Sequence, residues 1–182
     1  STMSSKMNIL LMKIKFIVII LLIVFAGITC NKSSGGNSPA PAPVPTTFFA
    51  KGADVSWVTQ MENAGMKFYN SSGTETECML LLKNLGMNSI RLRVWVDPAN
   101  GWCNTADVVT KAIRAKNLGM RILIDFHYSD SWADPGKQTK PAAWAGQDIA
   151  TLQTSVYNHT YNVLNVLKTN GITPDWVQVG NE

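Results

Sequence analysis

The chain has little of what metal and redox chemistry need. Only two histidines and three cysteines occur in 182 residues. Cys30, Cys78 and Cys103 show none of the short spacings that bind zinc. No metal site is therefore expected, and no cofactor within this segment. A basic patch with interleaved aromatics is also lacking, which removes the case for nucleic acid. The net charge of +4 overstates the basicity, because Lys6, Lys13 and Lys15 all precede an expected cleavage point. Removing those three leaves +1. No glycine-rich phosphate loop follows the first expected strand, which counts against a nucleotide-binding doubly wound sheet.

What is present is unevenly spread. Phe16 to Ala26 is an unbroken apolar run behind Lys13 and Lys15. It is too short and too close to the terminus for a comfortable membrane span, so residues 1–29 are expected to be a targeting segment. Gly27-Ile28-Thr29-Cys30 follows, and the composition turns polar at once. This resembles a bacterial lipoprotein signal, with Cys30 as the lipid anchor, although Thr29 stands where Gly, Ala or Ser is usual. A plain secretory signal and an uncleaved anchor are the alternatives. All three take the domain out of the cytoplasm, and the first expects it lipid-anchored at the envelope or surface. Residues 30–47 are rich in Ser, Gly and Pro, without apolar periodicity. They read as a linker, and their Pro-Ala repeat favours an extended spacer at about 3.1 Å per residue.

From residue 48 the pattern changes to alternating strands and helices. Strands are expected over 49–56, 87–96, 120–127 and 176–179. Helices are expected over 74–85, from a cap at Thr105 to Leu118, and over 148–167. Strand and helix repeat three times before the last strand, which argues for a parallel sheet with helical crossovers. Two joints are near-copies, Asn84-Leu85-Gly86-Met87 and Asn117-Leu118-Gly119-Met120. The fold class expected is α/β, and the chain reads as about the first half, strands 1–4, of a (βα)8 barrel. A doubly wound sheet is the alternative. The loops after the strands are long and polar, and in a barrel those loops build the site.

The residues at the strand ends carry the candidate chemistry. Val177 to Glu182 is an apolar alternation ending on an amide and a carboxylate. Glu182 is placed for general acid duty and Asn181 for a hydrogen bond to a sugar hydroxyl. An ordinary strand followed by a solvated Glu is the competing reading. Arg91, Arg93 and Trp95 share one side of the second strand, and Asp125 and His127 one side of the third. Asp54 and Asp125 are the acids available to the arginines, and Arg91 is the one expected to support the site. His127 is expected to contact substrate. In the loop after it, Trp132 and Trp144 can stack on pyranose faces, Trp132 with the stronger case.

The runs GADVSW, RLRVWVDP, DFHYSDSWADPGKQTKPAAW and VQVGNE, in this order, resemble glycoside hydrolase family 53, the endo-β-1,4-galactanases. The resemblance runs from residue 48 to 182. It implies a (βα)8 barrel that hydrolyses β-1,4-galactan of pectic type I arabinogalactan with retention. It makes Glu182 the acid/base residue, with Asn181 before it. It puts the nucleophile, a second Glu, on a seventh strand that this sequence does not contain, so the chain alone is expected to be inactive. Calcium, bound by some bacterial relatives, would belong to late loops that are likewise not in it. A monomer is expected, with galactan as partner and the membrane touched only through the lipid. Two other functions fit the residues: a barrel glycanase with another backbone specificity, and a non-catalytic glycan-binding lipoprotein. A full barrel runs to about 250 residues, so the folded part reads as an N-terminal portion.

Overall fold

The computed structural model describes residues 49–181. The targeting segment, the linker, Cys30 and Glu182 lie outside the described residues. The elements run β1 (Gly52–Asp54), α1 (Val58–Asn63), α2 (Cys78–Asn84), β2 (Ser89–Val94), α3 (Thr105–Asn117), β3 (Arg121–Phe126), a 3-10 turn (Ala142–Trp144), α4 (Ile149–Thr169) and β4 (Trp176–Val179). The four strands form one sheet in the order β1-β2-β3-β4, and every neighbouring pair is parallel. A doubly wound sheet reverses its strand order at a switch point. This one advances strictly in chain order with helical crossovers, as the first half of a (βα)8 barrel does.

One device launches strands β2, β3 and β4. Leu85, Leu118 and Asn170 end their helices, and a glycine with positive φ follows each: Gly86 at 92°, Gly119 at 66° and Gly171 at 69°. The next residue returns a hydrogen bond across the turn, Met87 to Leu82, Met120 to Ala115 and Ile172 to Leu167. Glycine suits the left-handed position because it has no Cβ to clash. Met120 and Ile172 then sink into the core, and the strand begins within a few residues.

The alternation on β2 behaves as read from the sequence. Ile90, Leu92 and Val94 are buried in the core with Val108, Ala112 and Ala115 of α3 and Ile122, Ile124 and Phe126. The opposite parity carries the arginines. Differences lie at the element ends. The first strand is shorter than expected, because Asp54 turns back to accept the amide of Ser56. The chain then enters α1, which the sequence reading missed. Asn104, not Thr105, caps α3, its side chain accepting the Asp107 amide. The helix expected from residue 74 starts at Cys78, since Glu77 is its cap and Glu75 instead pairs with Tyr69. Cys78 and Cys103 are free thiols, and Cys103 is buried.

Candidate active site

Register brings the inward residues of β1, β2 and β3 side by side. Asp54 pairs with Arg91 across β1 and β2, and Arg93 with Asp125 across β2 and β3. Arg91 is the hub. Its Nη1 donates to Asp54 Oδ2 at 2.7 Å. Its Nη2 donates to Asp125 Oδ2 at 2.5 Å and to the amide oxygen of Asn181 at 2.8 Å. The planar guanidinium can serve all three acceptors because its donors form a rigid fork. Burial pushes the Asp54 carboxyl up, but hydrogen bonds from Ser56 and Arg91 and the charge of Arg93 outweigh it. The net effect holds Asp54 below its ordinary value.

Asn181 is nearly buried. Its oxygen faces Arg91, and its nitrogen donates to the carbonyl of Ala133. The amide orientation is therefore settled, and one N–H remains to donate. Asn181 immediately precedes Glu182, so Arg91 and Ala133 together set where the backbone leaves β4.

His127 lies deeper than the sequence reading placed it. Nδ1 receives the indole N–H of Trp95 at 3.2 Å, and Nε2 lies 2.8 Å from Asp125 Oδ2. An indole nitrogen can only donate. The ring is thus the Nε2–H tautomer, donating to Asp125. With 3% of its surface exposed and both nitrogens engaged, His127 has no ring atom left for a sugar hydroxyl in this arrangement. It ties Trp95 to the Asp125–Arg91 pair.

Trp132 is 42% exposed, on the loop after β3. That loop is anchored at several points. Asp130 accepts the amides of Asp97 and Ala142, and Ala133 binds Asn181. Trp144, the weaker sugar candidate, is buried against His159 with ring centroids 6.1 Å apart, so it packs the loop rather than facing outward.

The sequence reading missed two participants, Trp57 and Lys111, and gave a third, Arg93, the wrong partners. Trp57, directly after the β1 turn, sits 6.0 Å from Trp132 by ring centroid. Arg93 was read as a member of an ion network, yet its Nη1 approaches Asp54 only to 4.0 Å. Its guanidinium instead lies among the rings of Trp57, Trp95 and Trp132. Lys111 of α3 is wholly buried, donating to the Ser56 carbonyl at 2.7 Å and to Asp107 Oδ2 at 2.6 Å. Parity gave a hint for Arg93. For Lys111 the only signal was a lysine amid the apolar side of a helix.

The model of Glycosyl hydrolase family 53 matches residues 50–182. The chain belongs to glycosyl hydrolase family 53. It is similar to the endo-β-1,4-galactanase of Bacillus subtilis strain 168, at 42% identity over 142 residues, covering 74% of this chain and 33% of that protein. It is 43% identical over 132 residues to the arabinogalactan endo-β-1,4-galactanase of Thermothelomyces thermophilus, covering 72% of this chain and 40% of that protein. The solved GH53 catalytic domain of Ignisphaera aggregans superposes with a TM-score of 0.70 at 42% identity, over 80% of this chain and 42% of that one. The family 53 chain thus spans well under half the length of these relatives.

Proposed function

We propose that this chain carries the acid/base side of a retaining endo-β-1,4-galactanase. Glu182 is the proton donor, and Asn181, Trp132 and Arg91 serve the substrate side, Arg91 by orienting Asn181. The support is the family 53 match through residue 182, combined with the Arg91–Asn181 bond that ties the residue before Glu182 to β2. In a retaining mechanism the acid protonates the leaving oxygen, then deprotonates the water that releases the glycosyl-enzyme. Its partner carboxylate stands about 5 Å away. His127 acts one step back, by holding Trp95 and Asp125.

The test uses the enzyme at the full length of its family. Glu182→Ala should slow cleavage of galactan by roughly 10²–10⁴-fold. An aryl galactoside with a good leaving group should suffer less, because that group needs no proton, and azide should restore its turnover. Polymer cleavage that survives Glu182→Ala sinks the assignment. Loss of activity in every form, with retained galactan binding, would favour a glycan-binding protein instead.

The localisation reading belongs here as well. We propose export behind the 16–26 apolar run, with lipid on Cys30 and the Pro-rich stretch as spacer. Metabolic labelling with a fatty-acid analogue should mark the wild type and spare Cys30→Ser. Equal labelling removes the anchor and leaves a secreted enzyme.

A further inference from the structure

Three tryptophans stand at the carboxyl ends of successive strands: Trp57 after β1, Trp95 after β2 and Trp132 after β3. Trp95 is buried and meets both others edge-on, at 82° and 75°. Trp57 and Trp132 are tilted by 45° with centroids 6.0 Å apart. Against them lies Arg93. Its Cζ is 4.1 Å from the Trp57 centroid and 4.2 Å from that of Trp132. The guanidinium therefore packs against both indoles, to one side of the line that joins their centres.

Hydrogen bonding accounts for only part of this arginine, through the buried Cys103. It is fully buried, and its Nε and Nη2 have no partner. A buried charge in that state is costly unless something else compensates. Here the sulfur of Cys103, the nearby Asp54 and the negative faces of the indoles do so. Burial holds the guanidinium below its ordinary value. The arrangement has a consequence for the rings. One face of each is closed by the cation, yet Trp57 stays 37% exposed and Trp132 remains more open still. What each ring shows to solvent lies away from the buried cation.

We infer that Trp57 is a second sugar-stacking residue, paired with Trp132, and that Arg93 is the positioning residue that holds both at their angle. The ligand class is a β-linked galactosyl unit, and only this choice of sugar rests on the galactanase reading. The axial 4-hydroxyl of galactose clears one face of the ring, leaving a continuous patch of C–H groups. Such a patch suits the negative face of an indole. Two indoles at fixed tilt suit two successive units of a bent chain.

Tryptophan fluorescence of the full chain, titrated with β-1,4-galactotetraose and separately with cellotetraose, tests this. Trp57→Ala and Trp132→Ala should each weaken galactotetraose binding roughly tenfold, the order that burying one indole face supplies. Trp57→Phe should recover part of the loss. Arg93→Lys keeps the charge and loses the planar stack, so it should weaken binding several-fold. In a Trp57→Ala background it should add much less, because it acts through the rings. Far-UV circular dichroism checks that each variant folds. If Arg93→Lys does not fold, the two Trp57 variants decide. The platform is overturned if Trp57→Ala binds as the wild type does. It is overturned equally if the unsubstituted chain binds neither sugar. Binding of cellotetraose alone, weakened by the same tryptophan variants, keeps the platform and removes the galactan reading.

Discussion

Arg91 and Asn181 are 90 residues apart in sequence and 2.8 Å apart in space, guanidinium to amide oxygen. The same nitrogen also holds Asp125, whose side chain is fully buried and whose Oδ1 has no partner. Removing the guanidinium would leave that buried carboxylate with the neutral His127 N–H as its remaining side-chain donor. Arg91→Met should lower the unfolding free energy by about 3 kcal/mol, the low end for breaking a buried pair from one side. Arg91→Lys should recover charge but not the three-way fork, and so only part of the loss. Urea unfolding monitored by fluorescence gives the comparison. A cost below about 1 kcal/mol, as for an exposed pair, would mean that the His127 bond suffices to hold Asp125.

Lys111 supports the β1 turn from behind. It joins the Ser56 carbonyl to Asp107, and Asp107 also accepts from Thr59 and the Cys103 amide. Ser56 in turn accepts the Arg93 amide through its hydroxyl. Lys111→Met should destabilise by about 3 kcal/mol, because it strands a largely buried acid. Paired with Asp107→Asn, the combined loss should fall short of the sum of the single losses. Strict additivity in that double-mutant cycle would show the two side chains to be independent.

His159 makes the fold acid-sensitive. Its ring is edge-on to Phe126, Tyr128 and Trp144, and its buried Nε2 has no partner. Burial holds the imidazole below its ordinary value. The unfolded chain therefore takes up the proton first. Stability is full above the unfolded value, about pH 6.5, and erodes as pH falls from there toward the lower folded value. The melting temperature should drop over that window, and His159→Phe should flatten the drop. Parallel profiles for the two proteins would show that this ring does not set the slope.

The fold was legible in sequence because its signals are local. The alternation in Ile90 to Val96 sorts core from site without knowledge of any partner strand. The repeated Leu-Gly-Met joints mark where two helices must stop, and β4 was found at its observed bounds. Short elements were less legible. Helix α1 has six residues and follows a strand of three, too few for a period to declare itself. Asn104 and Thr105 are both capping residue types, and only the folded backbone separates them, through the extended angle at Asn104 and its bond from the Asp107 amide.

The candidate site divides along the same line. Sequence alone nominated His127, Trp132 and Asn181 at or beyond the carboxyl ends of strands, and Arg91 by the side of β2 that it shares with Arg93 and Trp95. Tertiary structure decided what each one touches. Parallel register set Asp54 beside Arg91, and Asp125 across from Arg93. It closed both nitrogens of His127 and turned Arg93 from an expected ion-pair partner into a cation packed against indoles. The physical reason is range. Periodicity and caps arise from neighbours along the chain, whereas a guanidinium choosing among carboxylates and aromatic faces responds to groups that only the folded sheet brings within 5 Å.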